Sequence, residues 1–328
     1  MSYAYRPSAR IEIAGQSLSS AEAGLQDLTL TQGLGCHGHA DMTVWTGSKF
    51  ASAAAGEEIT IALGAMGDET LVMTGQVSAK RQTRDGIVIE ALDASGPLSR
   101  ARQTITFEDS SVDDIVSRIA GEADMQFSSD ASDTLNIYYV AAHRPLWDYL
   151  RDLSVLTGRD LNVDPEGKLL FLKGGAGSDH TLRYGAELMA WNVHAGETPT
   201  PTSFAAHGTS SSSGTWHWIG TDPLGEEPGQ ARVIGAFADQ SLADTATEAS
   251  ATMAARAALQ GHLLITGNAT IRAADTATIT DLPGGDPDGL RVRAVQHRLN
   301  GETGFTTTLT VEGDGDGGGL LGLIGGLL

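Results

Sequence analysis

Apolar residues recur with a helical period in two segments near the middle of this chain. In residues 144–158 they form one stripe at near-helical spacing, and Gly158 is the residue type that commonly ends a helix in the left-handed conformation. Residues 111–124 have the same pattern, and Ser111 and Asp114 are spaced as a capping box. A tight hairpin follows the second helix, with its turn at residues 164–167. The sequence therefore predicts two amphipathic helices and a hairpin.

Segments with strand-like alternation or β-branched enrichment lie on both sides of these helices. Short Gly-containing and polar turns separate them, which is typical of a barrel or sandwich. The predicted strands are residues 9–13, 27–31, 40–46, 58–63, 70–79 and 86–92, and then 262–271, 276–280, 290–299 and 306–312. An Ala-rich helix is predicted over residues 245–259, and the Pro-, Gly- and Ser-rich residues 195–230 predict loop or linker.

These patterns predict a β-rich α+β fold, with two β-barrel-like domains flanking and interleaved with a small α+β insertion. The expected segments are a first barrel (1–95), the insertion (96–194), a linker region (195–240), a helix with the second barrel (241–312), and a Gly-rich apolar tail (313–328). No sequence identity between the two β units is visible by eye, so a duplication would be an inference.

Composition narrows the classes of function. The formal charge is −20, from 41 acidic and 21 basic residues. Nucleic-acid affinity comes largely from Lys and Arg, so the composition argues against a phosphate-binding surface. It fits a solubility charge or a salt-adapted source organism. The single cysteine, Cys36, excludes an internal disulfide, and the sequence predicts neither a secretory signal nor a membrane span.

Candidate catalytic and metal-binding residues are sparse. Cys36-His37-Gly38-His39 has metal-ligand residue types, but it lies between two β segments among glycines and is interpreted as a turn. Asp113-Asp114 lies in a first helical turn, where carboxylates favourably meet the helix dipole. The run of Gly and Asp from 313 lacks the glutamate of a calcium loop. We therefore predict no catalytic, cofactor-binding or metal-ligating residue and no enzymatic activity, and we expect His297 to be a surface or interface residue.

The apolar end of the sequence is the strongest candidate for an interaction. An exposed patch of this kind usually marks a binding site, and the segment is too short to span a bilayer. The predicted interaction residues are Leu320, Leu321, Leu323, Ile324, Leu327 and Leu328. They would contact a partner, and the alternative is a disordered tail that its glycines keep in solution.

Three segments together resemble one family. They are Phe107-Glu108-Asp109 with the helix at 111–125, the helix and hairpin at 144–171, and the segment 284–311 with Val292, Val295, His297, Gly304-Phe305 and Thr306-Thr307-Thr308. Their order and spacing are similar to the late control gene D family of phage tails and the hub portion of VgrG-type spikes in contractile injection systems.

The resemblance implies a structural role. Such hubs are homotrimers in which each subunit contributes two similar β-barrels, so that a pseudo-sixfold ring joins a hexameric tail tube to a trimeric central spike and forms a channel. The expected partners are a separate spike protein, tail-tube and tube-initiator proteins and baseplate wedge proteins, with DNA or an effector passing through the lumen without specific binding. A virion baseplate, or an injection-system particle assembled in the bacterial cytoplasm, is the implied location. Sixteen residues follow Glu312, where VgrG-type hubs continue into a further barrel and a needle.

Two other classes of function stay open. A tail-associated carbohydrate-binding or hydrolytic protein would use Trp216 and Trp218, which share one face of a strand, and Trp191 as an aromatic platform. No carboxylate pair accompanies them. An adhesin or capsid component is the third interpretation, and the stoichiometry of the assembly would distinguish it.

Overall fold

A computed structural model describes residues 6–174, 177–195, 203–209, 216–221, 230–234, 240–283 and 289–314. For residues 195, 203–209, 216–221 and 230–234 the backbone alone is described.

The opening β unit is built from strands whose side chains alternate between the core and solvent. They are β1 (Pro7–Ile13), β2 (Gln16–Ser19), β3 (Leu25–Gly33), β4 (His39–Val44), β5 (Glu58–Ala65), β6 (Asp68–Gln82) and β7 (Ile87–Asp93). The two residues between β1 and β2, Ala14 and Gly15, have φ values of 50° and 80°, as a two-residue primed turn requires. The first six predicted strands are confirmed.

The insertion contains both predicted helices and the predicted hairpin. Its elements are β8 (Ile105–Ser111), α1 (Val112–Gly121), β9 (Phe127–Ser129), β10 (Thr134–Val140), α2 (Leu146–Thr157), β11 (Arg159–Val163) and β12 (Leu169–Lys173). Ser111 Oγ accepts a hydrogen bond of 3.0 Å from Asp114 N, which confirms the predicted cap. Gly158 ends α2 with a φ of 65°. β8, β9 and β10 were not predicted.

The closing part of the chain adds nine strands and one helix to the described structure. They are β13 (Asp179–Arg183), β14 (Leu188–Ala195), β15 (Ser203–Thr209), β16 (Trp216–Thr221), β17 (Gln230–Ile234), α3 (Gln240–Ala257), β18 (Leu259–Thr266), β19 (Thr276–Thr280), β20 (Leu290–Asn300) and β21 (Gly304–Gly313). The segment predicted as loop or linker therefore contains three strands, which form a sheet of their own. α3 begins at Gln240, five residues before its predicted start, and β18 ends at Thr266 rather than at 271.

The two β units join into one sheet that curls as a half-barrel. Its main path runs β14-β18-β21-β20-β3-β4-β7-β6-β5-β1-β2, and the β20–β3 pair connects the closing unit to the opening unit. β13 and β14, which lie in the segment assigned to the insertion, pair with β19 and β18 of the closing unit. The β-rich α+β fold class is confirmed.

The two units share the same strand order. In the opening unit, five consecutive strands (β3 to β7) pair as β3-β4-β7-β6-β5, so their spatial order is first, second, fifth, fourth, third. In the closing unit, β14, β18, β19, β20 and β21 pair as β14-β18-β21-β20-β19, which is the same order. Every one of these pairs is antiparallel. The units are therefore an internal structural repeat.

Irregularities in the pairing occur at matching places in the two units. The fourth strand of each unit has a shift in register against the fifth, between Val77 and Ala79 in β6 and between Val292 and Ala294 in β20. The first strand of each unit has a shift against the second, in β3 and again in β14. Because bulges are specific features of a strand, their coincidence aligns the two repeats residue by residue.

Three hydrophobic clusters fill the described structure. One lies under the opening unit and includes Leu299 and Phe305 of the closing unit. A second lies under the closing unit. The third holds the insertion together, and it includes Leu242, Ala243 and Ala246 of α3. Side chains of α3 therefore complete the core of the insertion, although the two are far apart in sequence.

Candidate functional site

The joined sheet has one buried face and one polar face. Directly paired residues of antiparallel strands lie on the same side, so the strand register identifies the members of each face. Two rows of directly opposed residues cross the centre of the polar face. The first row is Thr306, Arg298, Thr29, Asp41 and Glu90. The second row is Thr308, Gln296, Thr31, His39 and Leu92. Both rows cross the β20–β3 junction, so the polar face is continuous over the two units.

Two arginines of the polar face are paired with carboxylates. Arg298 Nη2 lies 3.2 Å from Asp27 Oδ1, and Arg81 Nε lies 3.4 Å from Glu90 Oε1. Ion pairs at such exposed positions contribute little to stability, about 0–1 kcal/mol each. Their relevant effect here is that they neutralise the cations, so these two arginines do not create a positive patch that would hold phosphates.

The buried face beneath the same junction contains His297. Its side chain is 1% exposed, and Nδ1 lies 2.9 Å from the Oγ1 of Thr307 on the adjacent strand. Nε2 has no hydrogen-bond partner among the described residues. Burial lowers the pKa of His297 to about 4. The prediction of a surface or interface histidine is wrong, because His297 is two residues from the buried Val295 and a strand places such residues on one face.

A hydrogen-bonded clasp lies where the opening unit meets the insertion, and its residues are His37, Gly38, Asp93, Ser95 and Trp147. Ser95 Oγ donates its hydrogen to Asp93 Oδ1 over 2.5 Å, so Ser95 Oγ accepts the hydrogen bond from His37 Nδ1 at 2.7 Å. Gly38 N donates to Asp93 Oδ2 over 2.6 Å, and the His37 ring lies 4.4 Å from the Trp147 ring. Burial lowers the pKa of His37 to about 4 and raises that of Asp93 to about 6.

The clasp fixes the turn between β3 and β4 against α2 and β11. Trp147 Nε1 donates to Gly35 O over 3.2 Å, and Gly35 N donates to Leu161 O over 2.7 Å. The segment from Cys36 to Gly38 thus belongs to the predicted turn, whereas His39 begins β4, and the Nδ1 atom of His37 is hydrogen-bonded inside the protein. In the described ranges, no three His, Cys, Asp or Glu side chains are grouped so as to hold a metal ion.

A buried ion network joins the insertion to the closing unit. The guanidinium of Arg291 contacts Asp160 of β11, and its Nη1 lies 2.7 Å from Glu312 Oε1. All three side chains are at most 13% exposed. They line a cleft of about 580 Å³ between α2, α3 and β20–β21. A buried charge is strongly destabilising when its partner is removed, so the Arg291 network holds the insertion against the closing unit. The clasp holds the insertion against the opening unit.

Comparisons with known proteins show similarity to solved structures alone. No protein-family model matches the chain, and no curated protein matches it. Among solved structures, a tail protein from Neisseria meningitidis MC58 has a TM-score of 0.73 at 12% identity, with 95% of this chain and 98% of that one covered. The 43 kDa tail protein of prophage MuSo2 from Shewanella oneidensis has a TM-score of 0.69 at 13% identity, with 94% and 99% covered. This chain has the fold of these tail proteins.

The same fold extends to a secretion system. The E. coli c3393 protein, described as a component of the type VI secretion system with structural similarity to T4 phage tail proteins, has a TM-score of 0.62 at 12% identity. The match covers 92% of this chain and 76% of that one. The tail-protein fold therefore includes the opening unit, the insertion and the closing unit together.

The tail-protein fold brings few of the predicted site residues together. Leu320, Leu321, Leu323, Ile324, Leu327 and Leu328 lie outside the described residues. Trp191 is 40% exposed on β14, whereas Trp216 and Trp218 lie on β16 in a different sheet, and their side chains are outside the described part. None of the helices in the described ranges has the length and apolar character needed to cross a membrane.

Sequence reasoning missed both the polar face and the clasp. The alternation of Thr306, Thr308 and Thr310 with apolar residues was a local signal for a half-exposed strand, but its neighbours across the sheet are set only by strand pairing. The clasp had no such signal, because His37, Ser95 and Trp147 come from three separate segments.

Proposed function

We propose that this chain is a structural subunit of a phage tail or a phage-derived injection apparatus, and that three copies form the hub ring of its baseplate. The ring would join a sixfold tail tube to a threefold central spike. The tail-protein fold of the whole described chain supports the tail assignment, and the internal repeat supports the hub.

The single observation that carries the proposal is the repeat of five strands in one continuous sheet. A subunit with two similar β units can present two similar surfaces to a neighbour above it. Three such subunits in a closed cyclic ring present six, which is the number that a hexameric tube requires. A subunit with a single β unit would need six copies for the same match.

The polar face is the proposed wall of the channel. It is continuous over both units, and Arg298 and Arg81 on it are neutralised by Asp27 and Glu90. The chain as a whole carries a charge of −20. A wall whose cations are paired in this way, in a chain with an acidic net charge, does not retain a passing polyanion. Cargo would therefore move through without specific binding.

The proposal assigns binding partners and no chemistry. The partners are two further copies of this chain, tail-tube and tube-initiator proteins, baseplate wedge proteins and a separate spike, and the location is the assembled particle. We propose no catalytic step for this chain.

The test is the mass of the native protein, measured first alone and then with tube and spike proteins encoded at the same locus. We expect a species near three times 34.1 kDa that captures the spike and nucleates the tube. Averaged electron-microscopy images of that species should show an annulus with six similar lobes.

A protein that stays monomeric with all of these partners would refute the hub. Glycan binding by the tryptophan-bearing strands would then be the next activity to measure, with Trp191→Ala as the variant whose exposed ring is described.

A further inference from the structure

The contact between the two β units of one chain is a strand pair of defined register. β20, the fourth strand of the closing repeat, pairs antiparallel with β3, the first strand of the opening repeat. Gln296 is directly opposite Thr31, and Gln296 Nε2 lies 3.3 Å from Thr31 Oγ1 on the exposed side. His297 is opposite Leu30 on the buried side.

The repeat has a second pair of equivalent strands whose corresponding edges are open. Aligning the bulges makes β6 the equivalent of β20, with Arg81 at the position of Gln296 and Gln82 at that of His297. The same alignment makes β14 the equivalent of β3, with His194 at the position of Thr31.

Neither equivalent edge has a strand partner in the described structure. From Ala79 to Gln82, β6 pairs only with β7. The outer edge of β14 makes one bridge, between Leu188 and Tyr184, and its residues 190–195 pair only with β18. Unpaired strand edges are sites at which another chain adds a strand.

Side-chain exposure marks the same two edges. Lys80 and Gln82 are exposed, whereas their equivalents in the paired repeat, Val295 and His297, are buried. Trp191 is 40% exposed, and its equivalent Leu28 is fully buried beside the β20–β3 contact. A large indole at an open edge is typical of a surface that a partner covers.

We infer that β6 of one subunit pairs antiparallel with β14 of the next subunit, in the register of the β20–β3 pair inside each chain. Arg81 is then opposite His194 of the neighbouring copy, and Gln82 is opposite its Val193. The contact joins two different edges, so it is heterologous, and rotation by one third of a turn closes it after three copies. This inference rests on the proposed hub function and adds its subunit interface.

The test is a disulfide that forms only in this register. Directly opposed residues have Cα atoms about 4.5–5.5 Å apart, within the range that a disulfide bridges. In a Cys36→Ser background, the pair Arg81→Cys and His194→Cys should give a covalent trimer after mild oxidation, seen on a non-reducing gel. The matched control pair is Arg81→Cys and Asn192→Cys, which is displaced by two residues to a diagonal distance of about 7–8 Å and should cross-link at least tenfold more slowly.

A second measurement needs no cysteine variant. In the native trimer, amide hydrogen exchange at residues 80–82 and 191–194 should be slowed to a degree similar to that of β3, whereas open edges exchange rapidly.

The outcomes separate this inference from the hub proposal. A native trimer with no disulfide from the Arg81–His194 pair and fast exchange at both edges would overturn the interface and leave the hub standing. A protein that is monomeric with all its partners would overturn both. Disulfide products larger than a trimer would overturn the closed ring.

Discussion

His297 provides a quantitative test of the buried junction between the two β units. Its imidazole is neutral in the folded protein, because burial lowers its pKa to about 4 from the ordinary value of 6.5. Well above pH 6.5 the imidazole is neutral in both the folded and the unfolded chain. In that range it therefore adds no pH dependence to the free energy of unfolding. As the pH falls through 6.5 toward 4, only the unfolded chain binds the proton, and the folded state loses stability.

The size of this loss follows from the two pKa values. The gap between 6.5 and about 4 corresponds to about 3 kcal/mol once the pH is at or below 4, at about 1.4 kcal/mol for each pH unit. At pH 5 the unfolded chain is almost fully protonated at this site and the folded chain is not, and the loss is about 2 kcal/mol.

The assay compares wild type with His297→Gln, which cannot titrate but retains groups that can hydrogen-bond to Thr307. Urea unfolding at pH 7 and pH 5, at one protein concentration, gives the change in free energy of unfolding for each protein. Wild type should lose about 2 kcal/mol more than the variant between the two pH values. His262→Gln is the control, because His262 is exposed and lies 3.3 Å from the hydroxyl of Thr310.

Equal pH dependence in wild type and His297→Gln would refute the reasoning. It would mean that the imidazole is hydrated or paired in solution, and that the junction is not a closed core. A pH-dependent difference in the His262→Gln control of the same size would also refute it.

Two further predictions concern the clasp and the ion network. Burial raises the pKa of Asp93 to about 6 from 3.8, so this group stabilises the folded state at low pH and the contribution is lost as the pH rises through 6. Asp93→Asn should therefore lose about 1 kcal/mol more than wild type between pH 7 and pH 5 in the same urea assay, and an unchanged or smaller loss would contradict the buried carboxylate. Asp160→Ala removes one of the two carboxylates of the buried Arg291 and should lower the free energy of unfolding by about 3 kcal/mol, whereas Glu248→Ala at the exposed pair with Lys173 should change it by less than about 1 kcal/mol. Equal effects of the two substitutions would show that the Arg291 network is hydrated.

The amino-acid sequence by itself determined the local elements of this protein. The spacing of Leu146, Leu150 and Leu153 specifies one face of α2, and Gly158 specifies its end whatever the rest of the chain does. The cap of α1 at Ser111 and the strands of the opening unit follow from signals only a few residues long. These features depend on neighbours in sequence, so the sequence alone predicts them.

Tertiary structure decided which of these elements lie side by side. The pairing of β20 with β3 connects residues more than 260 positions apart, and no local pattern specifies it. That pairing aligns the two repeats, buries His297 and makes the polar face continuous. The strand order of the repeat is not visible in the sequence. A sheet constrains only the alternation of buried and exposed residues and the register of the strands, and many different side chains satisfy both requirements. The fold therefore contains a structural repeat that is not visible by eye in the residues.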